Sequence, residues 1–300
     1  MESKKKQRLA FLTVILAAIF GGGIPVFGKI GLMLIPPITF TFFRFLIATV
    51  FLLPFAVKQR HQINRSIWKV ILLSLLATAN VTLFAFGIRW TTATTAQLLY
   101  SITPIISAFF SYYLLKEKIS IKKIVGITIG FFGVLLVILL PAFNISDKVN
   151  TLNGNLSGNL IILIAVVIFS LYSIFSKKYQ QELKVTPIFL TFLLTLTTTL
   201  VTFFFALYEY FLNPSWIANV SGQAVLSTFY VGIFGGAIFY LLYQYAIKNG
   251  TPIVASMTLF FQPIATFAWA FCLLNETLTI DMIFGGVLIL LGAYIVTLKK

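Results

Sequence analysis

Charge is scarce in this 300-residue sequence. Only 10% of its residues are Asp, Glu, Lys or Arg, against about 25% in ordinary globular domains. The chain is instead 59% hydrophobic, with a mean hydropathy of +1.01. So few charges could not cover a surface that faces water, which excludes a soluble enzyme and a disordered chain. We therefore expect an integral membrane protein with the lipid bilayer as its surroundings.

Cysteine and histidine are almost missing as well. Cys272 is the single cysteine, so no intrachain disulfide and no thiolate metal cluster can form. His61 is the single histidine and lies between apolar runs, so no histidine-based metal site is expected inside the membrane. The sequence also lacks a Walker-type phosphate loop and an HExxH motif, which argues against an ATP-driven pump and a membrane protease. We expect no metal, no cofactor and no catalytic residues.

Acidic residues are few: seven stand against 22 Lys and Arg, a net charge of +15. Because these cations lie between apolar runs, they indicate membrane topology and not a nucleic-acid partner. With the N-terminus in the cytoplasm, 18 of them fall on the cytoplasmic side, and only Lys29, Arg89 and Lys148 fall outside. The positive-inside rule then predicts a multi-pass protein of the cell membrane, bacterial in setting, with both termini cytoplasmic.

Apolar runs long enough to cross a hydrocarbon core of about 30 Å recur along the chain. They occupy residues 9–28, 37–57, 67–88, 93–115, 121–141, 158–176, 187–211, 224–247, 252–274 and 281–298. The longest link between them, rich in Asn, Gly and Ser, lies near the middle of the chain. We therefore predict a first half at 1–141, a linker at 142–157 and a second half at 158–300.

An internal repeat relates the two halves. A shift of 159 positions brings the segment that starts at Thr91 onto the segment that starts at Gly250. The shift matches Pro104 with Pro263, Glu117 with Glu276, Gly126 with Gly285 and Gly133 with Gly292. Since each half has an odd number of helices, the second copy must be upside down. The sequence predicts an all-α membrane protein with ten transmembrane helices in two inverted five-helix repeats, an architecture of secondary transporters.

Several residues of this pattern resemble those of a known family. The matching residues are Phe20-Gly21, Lys29, Arg44-Phe45, Pro104, Glu117, Gly126, Pro263, Glu276 and Gly285. In this respect each half resembles an EamA-type domain of the drug/metabolite transporter superfamily. The sequence departs from the family pattern in having Phe20 where Trp is usual and Leu194 near the place that corresponds to Arg44. The resemblance implies a fold of two repeats and the transport of small metabolites.

Polar and aromatic side chains at helical spacing are the candidates for a substrate cavity. Gln97, Tyr100 and Ser101 share one predicted face of the fourth helix. Aromatic rings with polar groups suit an organic metabolite or a cation, although the same residues also occur in plain helix packing. The candidate cavity residues are Asn80, Phe84, Gln97, Tyr100, Ser101, Tyr172, Tyr240, Tyr243, Gln244, Phe260 and Gln262, together with Arg44.

Glycine and proline within spans predict interruptions of the helices. Pro104 and Pro263 each remove a helical hydrogen bond, and paired interruptions in two halves are typical of transporter sites. The predicted hinge or helix-break residues are Gly21, Gly22, Gly23, Pro25, Pro104 and Pro263. Close helix packing through small residues is the alternative interpretation of the glycines, and we favour it for Gly126 with Gly130 and for Gly232 with Gly236.

Arg44 is the one ionisable residue well inside a predicted span, and no acidic residue lies at a comparable depth. An intramembrane charge is a functional hypothesis by default, so Arg44 favours zwitterionic or anionic cargo; a structural role for this Arg is the alternative. Glu117 and Glu276 lie at span ends, where we expect them to cap the next helix, from Ser120 or Thr279 onward.

The sequence as a whole therefore predicts a secondary transporter, not an enzyme, that moves a small organic molecule by alternating access. An amino-acid or metabolite exporter is the leading hypothesis. A carrier of nucleotide sugars or other phosphorylated metabolites is the alternative within the superfamily. A membrane-embedded enzyme would need clustered His, Asp or Glu, and a receptor or scaffold would have no evident use for the repeat. Whether the chain is a monomer or a homodimer is left open.

Overall fold

The computed structural model describes residues 2–62, 67–115, 120–143, 154–250, 252, 255 and 257–297, and these form helices and turns without a strand. The helices are α1 (Glu2–Gly22), α2 (Ile24–Leu32), α3 (Pro37–Val57), α4 (Ile67–Trp90), α5 (Ala93–Tyr100), α6 (Thr103–Leu115), α7 (Ile121–Phe143), α8 (Leu156–Glu182), α9 (Pro187–Leu212), α10 (Trp216–Asn219), α11 (Gly222–Tyr230), a π-helical segment (Val231–Phe239), α12 (Tyr240–Asn249), α13 (Thr258–Leu274) and α14 (Ile280–Thr297), with a 3₁₀ turn at Arg60–Gln62. The predicted all-α class is confirmed.

Seven of these helical stretches are long and apolar enough to cross a bilayer. They coincide with the predicted spans one to four and six to eight. Three shorter apolar helices, Ile124–Val137, Phe261–Leu274 and Met282–Ile295, coincide with predicted spans five, nine and ten. The chain is thus a multi-pass membrane protein, while the count of ten spans and the boundaries predicted for the two halves stay predictions.

Compared with a soluble domain, the polarity is reversed: large apolar side chains lie on the surface and small polar side chains lie in the interior. Large apolar side chains such as Phe204, Leu226 and Ile264 are about 70% exposed, at 68%, 72% and 72%. Small polar side chains such as Ser170 and Thr195 are completely buried. Because lipid tails solvate apolar groups and water does not reach them, such a molecule turns its apolar residues outward and satisfies its polar groups within.

Helix packing repeats itself when the two halves are exchanged. Helix α4 of the first half packs along α8 of the second half, and correspondingly α12 of the second half packs along α1 of the first half. The contact of α9 with α4 likewise corresponds to the contact of the π-helical segment with α3. The contact of α6 with α8 corresponds to that of α13 with α1. The pairs α3 with α9 and α7 with α14 map onto themselves. This pattern is the one expected of two related five-helix units.

Glycine permits the closest of these contacts. At the crossing of α7 with α14, a Cβ atom on Gly133 would lie 2.7 Å from the carbonyl oxygen of Gly285. A Cβ on Gly292 would lie 2.5 Å from the carbonyl oxygen of Gly126. In the π-helical segment, a Cβ on Gly232 would lie 2.9 Å from the carbonyl oxygen of Arg44. These glycines therefore serve close helix approach in the structure, as the packing interpretation predicts.

Two of the predicted helix interruptions are present, and one is wrong. The first span breaks at Gly23, between α1 and α2, and the fourth breaks at Ser101 and Ile102, just before Pro104. By contrast α13 continues through Pro263. The physical reason is visible at Leu259, whose carbonyl cannot bond to a proline nitrogen four residues later and instead accepts a hydrogen bond from Ser101 Oγ at 2.8 Å. Because this bond satisfies the carbonyl, the helix need not end.

Candidate functional site

A small cavity lies inside the helical bundle, where the broken first span and the broken fourth span meet the second half. Its volume is about 50 Å³, enough for a few water molecules and well below the roughly 300 Å³ or more of a metabolite pocket. It is lined by Gly21, Ile24, Pro25, Arg44, Asn80, Val81, Phe84, Gln97, Tyr100, Phe169, Phe239, Tyr240, Leu259 and Gln262. Both halves therefore contribute to one wall.

Arg44 brings the charge to this wall. It lies in the second turn of α3 and is 3% exposed. Its guanidinium carbon lies 4.7 Å from the centre of the Phe45 ring, a cation–π distance. Its Nε atom is buried and has no hydrogen-bond partner, and no described carboxylate pairs with it. The cavity thus carries one positive charge that the described part of the protein does not neutralise.

Aromatic rings form much of the remaining wall. Tyr100, at the end of α5, packs edge-on against Phe84 with ring centres 5.5 Å apart, and its ring centre lies 6.0 Å from that of Phe169. Asn80 in α4 donates from Nδ2 to the Tyr100 hydroxyl at 2.8 Å and to the Ala165 carbonyl at 2.7 Å. The Asn80 amide thereby fixes the Tyr100 ring at the cavity edge.

An amide pair joins the halves across the cavity. Gln97 donates from Nε2 to Oε1 of Gln262 at 2.9 Å. The Nε2 atom of Gln262 is buried without an acceptor. It lies against Gly21, where any Cβ would overlap that amide. Gly21 is therefore required for the close approach of α1 to α13, in addition to its place beside the helix break.

Three predicted cavity residues lie in a polar network beside the cavity, towards the end of the molecule that holds Gln59, Lys177, Thr186 and Lys248, here called the basic end. Gln244 in α12 donates from Nε2 to the Tyr172 hydroxyl at 2.6 Å. It also donates to Ser176 Oγ at 3.1 Å and accepts from Gln180 Nε2 at 2.6 Å.

Tyr243 shares a hydrogen bond of 2.9 Å with Ser173 in the same network. Tyr172, Tyr243 and Gln244 are fully buried and join α8 to α12. Since none of them lies on the wall, their contact with cargo stays a prediction.

Ser101 and Phe260 also differ from the rest of the predicted set. Ser101 caps α5 and binds the Leu259 carbonyl, so it connects the halves and does not line the cavity. Phe260 lies in α13, and its side chain falls outside the described part of the chain. Pro104 opens α6, one turn from the wall, whereas Gly21 and Pro25, predicted as hinge residues, do line the cavity. Their role as hinges stays a prediction.

The opposite end of the molecule, here called the acidic end, contains Lys29, Thr91, Glu209 and Glu276. Asn275 ends α13 in the left-handed conformation, with φ of 52°, which Asn tolerates. The chain then turns and places Glu276 against the start of α5. Its carboxylate accepts from the amides of Ala93 at 2.9 Å and Thr94 at 3.0 Å, and from Thr94 Oγ at 2.9 Å.

This position corrects the expectation for Glu276. The carboxylate caps a helix of the other half and not the next helix, because the N-terminus of α5 offers free amides and the positive end of a helix dipole. Lys29 strengthens the arrangement, with Nζ 3.5 Å from the Glu276 carboxylate and a hydrogen bond of 2.6 Å to the Thr91 carbonyl. Glu117, the repeat partner of Glu276, lies outside the described residues.

A second glutamate at the acidic end makes the same kind of contact. Glu209, near the end of α9, accepts from the amides of Ile38 at 3.2 Å and Thr39 at 2.7 Å, and from Thr39 Oγ at 2.8 Å. Both carboxylates thus come from the second half and cap helices of the first half. The two contacts tie the halves together at this end.

Five wall residues were not predicted from the sequence: Ile24, Val81, Phe169, Phe239 and Leu259. A signal exists for some of them. Leu259 is the partner of Tyr100 under the shift of 159, and Phe169 lies one turn before Tyr172. For Val81 and Phe239 no signal beyond their neighbours Asn80 and Tyr240 exists, because an apolar wall residue is indistinguishable in sequence from a lipid-facing one.

Within the described residues, no three His, Cys, Asp or Glu side chains come close enough together to hold a metal ion. The wall of the cavity is built from aromatic, apolar, amide and guanidinium groups. Such groups can bind an organic molecule through stacking and hydrogen bonds.

The sequence and the fold are similar to those of known proteins. A sequence profile of the EamA-like transporter family matches residues 8–139 and 156–298. An uncharacterized transporter of Clostridium kluyveri is 26% identical over 306 residues, 96% of this chain and 93% of its own. The uncharacterized transporter YdfC of Bacillus subtilis is 30% identical over 261 residues, 86% of this chain and 80% of its own. A solved crystal structure superposes with a TM-score of 0.67 over 98% of this chain and 96% of that chain, at 17% identity, which is a likeness of fold alone.

Proposed function

Because the chain belongs to the EamA-like transporter family, we propose that it is a secondary transporter that moves small organic metabolites across the cell membrane by alternating access. The relatives named above are themselves called transporters, without a stated substrate. The proposal adds a site and a mechanism: cargo binds at the cavity lined by Arg44, Tyr100 and Gln262, and the helices around it open towards one end of the molecule at a time.

One observation carries this proposal: the cavity lies between two sets of contacts that join the halves at opposite ends. At the acidic end Glu209 and Glu276 cap helices of the other half. At the basic end Gln62 of the first half accepts from the amide of Thr186 in the second half at 2.9 Å and donates to its hydroxyl at 3.2 Å. A cavity of about 50 Å³ cannot hold a metabolite, so cargo requires the surrounding helices to separate. Alternating access follows if the two sets of contacts break in turn.

Amino acids are the first substrate class that the proposal favours, with export as the direction. The wall combines aromatic faces, amides and a single cation, which suits a small molecule with one charged group and an organic body. A phosphorylated metabolite is the second candidate, since Arg44 would also bind phosphate. Against it stands the wall itself, where Arg44 is the one cation among the described lining residues.

Counterflow in liposomes tests the proposal. The purified protein is reconstituted, the vesicles are loaded with an unlabelled compound, and uptake of the same labelled compound is measured. The panel contains amino acids, phosphorylated sugars and quaternary amines. We expect exchange of one class without an imposed ion gradient. If vesicles with protein exchange no compound faster than empty ones, the transport proposal fails for these classes.

A variant that fills the cavity locates the site. Val81 is 3% exposed and lines the cavity, whereas Leu72, on the same helix, is 53% exposed on the apolar surface. We expect Val81→Trp to reduce exchange by at least about tenfold, because an indole cannot fit beside cargo. Leu72→Trp is the matched control and should leave exchange unchanged. Equal exchange by both variants would place the transport route elsewhere.

Both termini are proposed to face the cytoplasm. The distribution of Lys and Arg supports this topology. A reporter that is active only outside the cytoplasm, fused after Lys300, should then be inactive, and the same reporter inserted between Pro214 and Ser215 at the acidic end should be active. The opposite pair of results would reverse the orientation. Efflux of labelled compound from preloaded cells tests the direction of transport.

A further inference from the structure

Arg44 is a buried cation without a counter-charge from the described protein. It lies on the cavity wall, is 3% exposed, and its Nε atom has no hydrogen-bond partner. Its one described interaction with a ring is the cation–π contact with Phe45. Burying a guanidinium within the membrane costs free energy unless the charge is paired. An anionic partner at the depth of Arg44 would lower this cost.

The sequence offers no carboxylate for this purpose. It contains seven acidic residues. Glu182 pairs with Lys178, and Glu209 and Glu276 bind helix starts at the acidic end. The other four, Glu2, Glu117, Asp147 and Asp281, lie at the ends of predicted spans or between them. None is within a span at the depth of Arg44, so this sequence places no carboxylate where it could neutralise Arg44.

Further hydrogen-bond donors accompany Arg44 on the wall. The Nε2 atom of Gln262 is buried without an acceptor, while its Oε1 atom is engaged by Gln97. The Tyr100 hydroxyl accepts from Asn80, which leaves its own proton free to be donated. The side chain of Tyr240 lines the same cavity. A wall that has unpaired hydrogen-bond donors and no carboxylate of its own suits a ligand group that only accepts hydrogen bonds. A carboxylate is such a group.

We propose that the cargo carries a single carboxylate, which Arg44 binds with help from the amide of Gln262 and the hydroxyls of Tyr100 and Tyr240. The rest of the cargo is an apolar or aromatic body that packs against Phe84, Phe169 and Leu259. One cation balances one negative charge, so a doubly charged phosphate would leave an excess buried charge. This inference rests on the proposed function, because it names the substrate class of the same cavity.

Matched pairs of compounds test it by two measurements. The probes are labelled phenylalanine, 3-phenylpropionate, leucine and 4-methylpentanoate, each against its amide, with phenyl phosphate as the dianion. Melting temperature in detergent reports binding, and counterflow in liposomes reports transport. We expect carboxylates to raise the melting temperature and the amides to bind at least about 30-fold more weakly, since truncating one partner of a buried charge pair has an effect of that size. Equal shifts by acids and amides, or no shift by any carboxylate, would overturn the inference.

Two substitutions at Arg44 separate binding from structure. Arg44→Gln should abolish the shift caused by carboxylates while the ligand-free melting temperature stays equal or rises, because an uncompensated charge has been removed. Arg44→Lys keeps the charge without the planar fork and should retain part of the shift. A lower ligand-free melting temperature for Arg44→Gln, with the preference for acids over amides intact, would show a structural arginine and overturn the inference.

The two proposals can fail separately. If wild-type protein exchanges acids and amides at equal rates, the carrier role stands and the carboxylate site fails. If no compound is exchanged but carboxylates still raise the melting temperature of wild type and not of Arg44→Gln, the site stands and the transport proposal fails.

Discussion

Charged groups join the two halves at the acidic end, whereas neutral amides and hydroxyls join them at the basic end. Glu276 binds two backbone amides, a threonine hydroxyl and Lys29. At the basic end Gln62 of the first half accepts from the amide of Thr186 in the second half at 2.9 Å and donates to its hydroxyl at 3.2 Å. Lys177 lies at the same end, but its hydrogen bonds to the carbonyls of Ile247 and Gly250 stay within the second half.

The difference matters for how each end opens. Charge-assisted hydrogen bonds are roughly twice as strong as neutral ones, and a carboxylate at a helix start gains from the helix dipole as well. Separating the two halves at the acidic end therefore requires water or ions to replace the strong hydrogen bonds of the Glu209 and Glu276 carboxylates. The basic end exchanges neutral partners of moderate strength. We expect the basic end to open more readily in the absence of cargo.

The largest effect is expected from Glu276→Ala. The substitution removes acceptors for Ala93 and Thr94 and the partner of Lys29, so we expect the free energy of unfolding to fall by about 2–3 kcal/mol. Denaturant titration in detergent measures it. In a Cys272→Ser background, Val81→Cys should also react faster with a thiol reagent added from the acidic end. No change in labelling from either side would contradict a closing role for this contact.

A smaller loss is expected from Gln62→Leu at the basic end. Leucine is similar in size but leaves the Thr186 amide without its acceptor, so we expect about 1–2 kcal/mol. Val81→Cys in this variant should react faster from the basic end. If Gln62→Leu proves as destabilising as Glu276→Ala, the contrast between charged and neutral ends is wrong.

The smallest effect is expected from Lys29→Met. It removes the ion pair at 3.5 Å but leaves the capping contacts of Glu276 in place, so we expect about 1 kcal/mol. Lys178→Met is the matched control, because the pair of Lys178 with Glu182 is nearly half exposed on both sides at 48% and 47% and exposed pairs contribute little. Equal losses from the two substitutions would mean that Lys29 does not strengthen the acidic end.

Much of the cavity could be predicted from the sequence because polar groups in lipid are rare and costly. Arg44, Asn80, Gln97, Tyr100, Tyr240 and Gln262 all lie on the wall. The apolar part could not be predicted, because Val81 and Phe239 have the same chemistry as residues that face lipid. The network of Tyr172 and Gln244 has the composition of a cavity, and only the packing of α8 on α12 shows that Gln244 binds Tyr172, Ser176 and Gln180 instead.

Glu276 also shows where prediction from the sequence ends and the tertiary structure decides. Sequence spacing places Glu276 at a span end, where a local cap is the expectation, but the left-handed Asn275 turns the carboxylate towards α5 in the other half. Sequence also predicts that Pro263 interrupts its helix. The interruption is avoided because Ser101, 158 residues from Leu259, supplies the missing hydrogen bond. Contacts between residues so far apart in the chain leave no local pattern.

The sequence by itself determined the membrane environment, the all-α class and the two-repeat family. Hydropathy, charge and internal repetition are properties of the chain, and the partition of each segment between lipid and water depends on them directly. The tertiary structure decided which polar groups are satisfied and which are left over. The side-chain amides of Asn80, Gln97 and Gln244 donate hydrogen bonds to residues of other helices. The Nε atom of Arg44 has no such partner among the described residues, because its position in the assembled bundle, and not its place in the chain, determines what lies within reach.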